Sequence, residues 1–158
     1  MKKIIAIGSL LVFLVACRKE NQSAVPVPDP EPLLLVPAGF PQPVFPAGNE
    51  LNVARFALGK RLFYDPILSK DSTVSCANCH HPQKAFSDTV AFSPGVFGAA
   101  GVRNAPTLAN VAYHPYFTRE GGVPTLEMQI FVPIQEHNEF NFNILLIIKF
   151  LSNEKVLK

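Results

Sequence analysis

Apolar residues recur at helical spacing in three separate stretches of this chain. In the first stretch, Leu51, Leu58 and Leu62 share one face, and Asn49, a residue type that caps helices, precedes them. The pair Asp65-Pro66 ends the pattern, because a helix usually stops before a proline. The sequence therefore predicts a first helix between Asn49 and that pair.

Two more helices are predicted near the C-terminus. Pro124-Thr125 opens one that we expect to stop at Pro133, and Asn143 is the expected cap of the last one. The apolar face of that last helix comprises Ile144, Ile147, Ile148 and Leu151. Phe142, before the cap, and Ile147 are at the positions of a hydrophobic staple. No stretch alternates with the two-residue period of a strand, and residues 83–119 show no sustained period. We therefore expect an all-α fold with long irregular loops.

The first 17 residues are organised like a bacterial lipoprotein signal peptide. A basic start precedes an apolar run, Ile4 to Ala16, that is shorter than the about 20 residues needed to span a bilayer. Leu14-Val15-Ala16-Cys17 has the form of a lipoprotein cleavage site. We expect a lipidated Cys17, which would hold the protein in the cell envelope on the periplasmic side. An uncleaved membrane anchor is the alternative.

Residues 18–48 are interpreted as a proline-rich tether. About half of the chain's 15 prolines lie there, and proline disfavours both helices and central strands. The apolar segment Leu33-Leu34-Leu35-Val36 differs from the rest of the tether, and we expect it to be able to dock onto the folded domain. Residues 49–158 then make up one domain of about 110 residues, enough for a modest core.

The most specific motif is Cys76-Ala77-Asn78-Cys79-His80, which has the spacing of a covalent attachment site for c-type haem. On one helical turn the two thiols can reach both vinyl groups of a porphyrin, and the next residue can ligate the iron. We therefore assign Cys76 and Cys79 to the thioether bonds and His80 to the iron of one haem c. With Cys17 lipidated, all three cysteines are then used.

Two other interpretations of the paired cysteines are weaker. A zinc site needs a second pair of ligands, and His114 and His137 lie far apart in the sequence. A thioredoxin-like redox pair follows a strand, whereas Asp71 to Ser75 shows no strand pattern. We interpret His81, His114 and His137 as surface histidines. The net charge of +2 does not indicate a nucleic-acid partner.

Three segments resemble the N-terminal domain of bacterial di-haem cytochrome c peroxidases, the group that includes the MauG-like proteins. These segments are Leu58 to Pro66, Ser69 to His80 and Gly101 to Leu108. The resemblance implies a cytochrome c-like haem domain. It also implies that hydrogen peroxide is reduced to water at this haem with electrons from a small donor cytochrome, and it is compatible with a dimer.

The resemblance also implies roles for individual residues. Gln129 and Glu139 match a catalytic pair on the distal side of the haem. A carboxylate there can move a proton between the two peroxide oxygens, and an amide can orient the peroxide. Asn104 matches a ligand of a calcium ion that lies between the two domains of the family.

The chain departs from the family pattern at three points. Ser93 to Gly98 contains no histidine, and Val96 stands where reduction-activated members carry a distal one, so we expect an iron with an open sixth position. Arg119 replaces a tryptophan that lies between the haems of many relatives. No second haem motif occurs before Lys158, so we expect the C-terminal haem domain to be absent from this sequence. A truncated reading frame is the favoured explanation, and a separate chain for the other half or a partial sequence are the alternatives.

Two other functions compete with peroxidase. Met128 could ligate the iron and make the chain a monohaem electron-transfer protein. We expect Met128 to pack in the core instead, because it and Gln129 point about 100° apart on a helix. An inactive truncated fragment that binds haem poorly is the other alternative.

Overall fold

The structure is a computed structural model that describes residues 33–152. These residues belong to one compact unit, which begins at Leu33. The predicted signal peptide, the lipidated Cys17 and the first part of the tether lie outside the described residues. Within residues 33–152, no helix is long and apolar enough to cross a membrane.

Helices and turns make up the regular structure. The α-helices are α1 (Val53–Tyr64), α2 (Cys76–Cys79), α3 (Leu126–Gln129), α4 (Phe131–Gln135) and α5 (Ile144–Leu151). Short 3-10 helices cover Pro66–Leu68, Pro82–Lys84, Val96–Gly98 and Val111–Tyr113. The described residues contain no strand, only isolated bridges, so the prediction of an all-α fold is confirmed for residues 33–152.

The first helix begins later than predicted. Asn52 caps α1 in place of Asn49, since its side chain accepts a hydrogen bond of 2.9 Å from the Arg55 N–H. Asn49 instead donates to the Glu127 carboxylate at 3.1 Å, which ties the chain before α1 to α3. The helix ends at Tyr64, as predicted.

The helix predicted after Pro124-Thr125 is divided into two. Thr125 caps α3, because its hydroxyl oxygen accepts a hydrogen bond of 3.2 Å from the Met128 N–H. α4 follows directly and contains Pro133, so the prediction that this proline stops the helix is wrong. Pro133 lies in the first turn of α4, where its missing N–H costs no intrahelical hydrogen bond.

The last helix begins where the sequence predicts. The side chain of its cap, Asn143, accepts a hydrogen bond of 2.9 Å from the Leu145 N–H. The side chains of α5 that pack in or against the core are Ile144, Ile147 and Leu151. Ile148 is 58% exposed, so it departs from the predicted apolar face.

One small hydrophobic core joins the short helices. Its buried members are Leu68, Val74, Val96, Ile134, Phe140 and Ile147. Cys76 packs against this cluster, which anchors α2 and the haem motif to the rest of the domain. The residues of α1 stay exposed or half-buried, with Phe56 45% exposed. The core therefore supports the motif from one side, and α1 presents apolar surface outside it.

Three loops between α2 and α3 are closed in the same way. An isolated antiparallel bridge joins the ends of each loop, at His81–Ser87, Pro94–Ala100 and Phe117–Val123. Each loop contains at least one residue other than glycine with a positive φ; these are Ala85, Phe86, Phe97 and Thr118. Such conformations are unfavourable for side chains with a Cβ, so tertiary contacts must hold the loops in place.

The described part of the predicted tether contacts the domain. The Phe40 ring meets the Tyr113 ring edge to face, with centroids 5.3 Å apart. Leu33 and Val36 are half-buried, whereas Leu35 is 75% exposed. The boundary at residue 48 stays a prediction.

Candidate haem site

Helix α2 places both cysteines of the motif on one turn. Before the helix, the Ser75 N–H and hydroxyl each donate a hydrogen bond of 2.8 Å to the side-chain oxygen of Asn78. The Asn78 side chain thus accepts from the N-cap residue, as the third helical residue does in a capping box, and this stabilises a helix of only four residues. The His80 N–H donates to the Cys76 carbonyl at 2.9 Å, so the histidine continues the same turn.

Burial raises the pKa of both thiols. The pKa of Cys76 is raised to about 11, chiefly because the side chain is desolvated against the core. For Cys79, burial raises the pKa most, a hydrogen bond with Ser93 opposes it, and the charges of Glu139 and Asp88 raise it further. A redox-active pair instead has a thiol with a lowered pKa. The raised pKa values of the two thiols therefore do not favour a redox-active pair.

His80 is oriented by a backbone carbonyl. Its Nδ1 lies 2.8 Å from the Phe86 oxygen. Because a carbonyl only accepts, Nδ1 carries the proton in this arrangement, and Nε2 keeps a free lone pair. Metal-binding histidines almost always donate their other N–H in this way. His80 therefore presents Nε2 as a ligand atom.

A buried carboxylate supports the loop that follows His80, and the sequence analysis did not identify it. The Asp88 side chain is 5% exposed, and one oxygen accepts a hydrogen bond of 2.8 Å from the Ser93 hydroxyl. The other oxygen lies 3.7 Å from His81 Nε2 and 4.0 Å from Lys84 Nζ. The Ser93 hydroxyl first, then backbone N–H groups and the His81 charge, lower the pKa of Asp88 against the effect of burial. His81 is only one-third exposed because it faces Asp88.

Asn104 holds the same loop. Its Nδ2 donates to the carbonyls of Asp88 and Val90, at 3.1 and 2.7 Å. The side-chain oxygen is then the atom that would suit calcium, which prefers oxygen ligands. The role of Asn104 as a calcium ligand stays a prediction.

Glu139 is half-buried and lies in the same region as the motif. Burial raises the pKa of its carboxyl group, and the charge of Glu136 raises it further. The charge of Glu139 in turn acts on the Cys79 thiol. A carboxyl group with a raised pKa exchanges protons closer to neutral pH, which suits acid–base work.

The backbone of Glu139 is held by a glycine loop. A Cβ added at Gly95 would lie 1.9 Å from the Asn138 carbonyl oxygen, so only glycine allows this approach. The neighbouring Val96 N–H donates a hydrogen bond to the Glu139 carbonyl, and the Val96 side chain is fully buried in the core. Pro94-Gly95 is an ordinary turn signal in the sequence, so this contact could not be predicted.

Gln129, the other predicted distal residue, lies half-buried on α3. Its Oε1 is buried and has no hydrogen-bond partner among the described residues. A buried acceptor without a donor is costly, which is typical of a group that serves a ligand. Within residues 33–152, no hydrogen bond joins Gln129 to Glu139.

Several other predicted positions lie at the surface. Met128 is 49% exposed, so the prediction that it packs in the core is wrong, because the four-residue α3 buries none of its side chains fully. Arg119 is exposed in the loop closed by the Phe117–Val123 bridge. His114 and His137 are exposed, as predicted.

These residues fit a covalently bound haem c. Two thiols on one turn and a histidine with a free Nε2 match its attachment chemistry. Phe63 of α1 meets Phe86 edge to face at 6.0 Å, which brings α1 to the His80 side. Apolar side chains exposed on α1, on the loop after His80 and directly after α3 include Phe56, Leu58, Phe86 and Ile130. An apolar surface of this kind suits a porphyrin face.

Comparisons with known proteins identify the family of the chain. A family described as di-haem cytochrome c peroxidase matches residues 53–158. The methylamine utilization protein MauG of Methylorubrum extorquens is 37% identical over 105 residues, which cover 66% of this chain and 30% of MauG. The cytochrome c peroxidase Ccp of Escherichia coli is 40% identical over 90 residues, covering 56% of this chain and 19% of Ccp.

Solved structures agree as well. A MauG-like protein associated with microbial copper homeostasis matches with a TM-score of 0.69 and 32% identity, over 77% of this chain and 35% of that one. The diheme peroxidase BthA from Burkholderia thailandensis has a TM-score of 0.53 and 31% identity, over 60% and 28% of the two chains. The chain thus spans 35% or less of the length of these relatives. It belongs to the di-haem cytochrome c peroxidase family.

Proposed function

We propose that this chain carries the peroxide-reducing haem of a di-haem peroxidase. Cys76 and Cys79 would hold one haem c covalently, and His80 would be its iron ligand. When bound, the haem supplies the iron at which hydrogen peroxide is reduced to water with electrons from a small donor cytochrome. The observation that carries the proposal is the hydrogen bond from His80 Nδ1 to the Phe86 carbonyl, because it leaves Nε2 free on the residue that directly follows a one-turn helix with two thiols.

Proton transfer is proposed for Glu139. Reduction of one peroxide consumes two electrons and two protons and releases two water molecules. A proton must leave the oxygen near the iron and reach the far oxygen, and one carboxyl group can do both. The raised pKa of Glu139 supports this role. Gln129 can orient the peroxide without titrating, because its unpartnered Oε1 accepts a hydrogen bond and its NH₂ donates one.

An open sixth position on the iron is part of the proposal. The loop from Ser93 to Gly98 contains no strong iron ligand. Burial of Val96 and its hydrogen bond to Glu139 hold that loop on the core. Peroxide would then need no prior reduction of the protein before it binds.

The surroundings are proposed from the sequence and the family. We place the protein on the periplasmic side of the bacterial cell envelope, held by lipid on Cys17. The long loops between α2 and α3 would enclose the haem in a cytochrome c-like fold. Asn104 would contribute an oxygen to a calcium ion, and the chain would be able to dimerise.

Peroxide turnover by the haem-loaded full chain tests the proposal. The chain is expressed with a cytochrome c maturation system and assayed with a reduced small cytochrome as donor. We expect Glu139→Gln to lower turnover about a hundredfold or more. Glu127→Gln is the matched control, since its side-chain oxygen can still accept the hydrogen bond from Asn49, and it should match the wild type.

The outcomes separate the competing functions. Full turnover by Glu139→Gln would show that the proposed role of Glu139 is wrong. If the haem-loaded wild-type chain does not react with hydrogen peroxide, the result would favour the electron-transfer or inactive-fragment alternatives. Of these two, the electron-transfer protein would show low-spin ferric haem.

A further inference from the structure

The carbonyl that orients His80 belongs to an unusual piece of backbone. Ala85 and Phe86 both have positive φ, at 53° and 58°. Neither residue is glycine, so each conformation is disfavoured by its Cβ. In this pair of conformations the Phe86 carbonyl lies 2.8 Å from His80 Nδ1. Whatever holds the Ala85–Phe86 peptide therefore controls the environment of the histidine.

Hydrogen bonds within the loop between His81 and Ser87 close it, but they do not tie the Ala85–Phe86 peptide to another part of the chain. The Phe86 N–H donates to the His81 carbonyl at 2.8 Å, and the Ser87 N–H donates to the Lys84 carbonyl at 3.1 Å. These bonds lie within the loop itself, so they would move with it. At its far end the loop is anchored through Asp88, whose N–H donates to the Ala105 carbonyl at 3.3 Å.

Thr107 supplies a contact from another part of the chain. Its hydroxyl donates a hydrogen bond to the Ala85 carbonyl, which belongs to the same peptide as the Phe86 N–H. The hydroxyl oxygen also accepts a hydrogen bond of 3.0 Å from the Ala109 N–H, which fixes its direction. The Thr107 side chain therefore holds the Ala85 carbonyl, which directly precedes the Phe86 carbonyl that faces His80.

We propose that Thr107 is a positioning residue for the iron ligand His80, an inference that rests on the proposed function. By holding the Ala85–Phe86 peptide, Thr107 keeps the Phe86 carbonyl on Nδ1. A hydrogen bond at Nδ1 makes the imidazole a stronger electron donor through Nε2. A stronger donor stabilises ferric iron over ferrous iron, so Thr107 would lower the reduction potential of the haem.

Thr107→Val tests this inference in the haem-loaded full chain, because valine keeps the shape of threonine and removes the hydroxyl. The readouts are the midpoint potential and the iron–histidine stretching frequency of the ferrous protein by resonance Raman spectroscopy. We expect the potential to rise and the frequency to fall. Thr107→Ser should restore both toward the wild type. Thr73→Val is the matched control, since its hydroxyl donates to Asp71 instead of this loop, and it should change neither readout.

Each outcome decides the inference. It is supported if Thr107→Val shifts both readouts and Thr107→Ser restores them, or if only the serine variant loads haem and has wild-type values. It is overturned if both variants load haem with unchanged readouts, if the control shifts as much as Thr107→Val, or if neither variant loads haem. If the wild-type chain binds no haem through its cysteines, the proposed function fails first, and the two failures are distinguished by the pyridine haemochrome spectrum of the wild type.

Discussion

The backbone N–H of Val96 donates a hydrogen bond of 2.9 Å to the carbonyl oxygen of Glu139. This contact joins a core residue to the residue proposed for proton transfer, over a stretch of more than forty residues. It depends on the close approach of Gly95 to Asn138. The backbone position of Glu139 is therefore set by a loop that contributes no catalytic side chain of its own.

Gly95→Ala should disturb this contact. Its Cβ would lie 1.9 Å from the Asn138 oxygen, so the backbone must move. We expect a loss of about 1–3 kcal/mol in the free energy of unfolding, as for other overpacked sites, and a parallel loss of peroxide turnover. Chemical denaturation measures the first effect. Gly59→Ala is the control, since a Cβ there meets nothing within 4 Å in helix α1; it should stabilise the chain by about 0.5–1 kcal/mol. Equal stability of the two variants would contradict the clash at Gly95.

The pH dependence of turnover should report Glu139. The ionised carboxylate is the form that takes a proton from peroxide, and its pKa is raised above the ordinary 4.5. Turnover should therefore fall as the pH is lowered through that raised pKa. Glu136→Gln removes the neighbouring negative charge, so it should shift this acid limb to lower pH. A plot of kcat/KM for peroxide against pH checks both statements. If the acid limb of this plot stays at the same pH in Glu136→Gln, a group other than Glu139 controls the fall in turnover.

Asp88 should stabilise the domain in a pH-dependent way. The pKa of Asp88 is lowered in the folded chain, so the ionised carboxylate stabilises the fold at any pH above the ordinary pKa of 3.8. This stabilisation is lost as the pH falls through the lowered pKa of the folded chain. Asp88→Asn should cost about 1–3 kcal/mol at neutral pH, because charged hydrogen bonds are lost. The difference from the wild type should shrink in acid. A difference in unfolding free energy that stays constant down to acid pH would contradict the role of the ionised carboxylate.

The ferric spin state tests whether Met128 is an iron ligand. Met128 is half exposed, and Gln129 beside it carries the buried unpartnered oxygen. We expect predominantly high-spin ferric haem, and we expect Met128→Leu to leave the absorption spectrum unchanged. A low-spin spectrum that becomes high-spin in Met128→Leu would favour the electron-transfer function.

Local features of the fold could be predicted from the sequence. The haem motif and the Asn143 cap depend on residues within one helical turn, so their spacing is sufficient. The start of α1 could not be settled in this way, because Asn49 and Asn52 are both suitable caps. The Arg55 side chain decides it by donating to the Gly48 and Glu50 carbonyls, both at 2.8 Å, which keeps those residues outside the helix.

The long-range contacts that hold the loops of the site in place could not be predicted from local sequence. Thr107 and Ala85 are 22 residues apart, and Gly95 meets Asn138 from a different loop. Neither contact has a periodic pattern, and the residue types involved are common in ordinary turns. The family resemblance predicts roles for Glu139 and Gln129, but it gives no account of the residues around them.

The most direct test of the central claim is the intact mass of the mature chain after expression with a working cytochrome c maturation system. We predict a coloured protein that carries the mass of one haem and keeps it through acid–acetone extraction. The double variant Cys76→Ala, Cys79→Ala should lose both the mass and the colour after the same extraction. A wild-type chain that is colourless and has the mass of the bare polypeptide would contradict the claim that Cys76, Cys79 and His80 form a haem site.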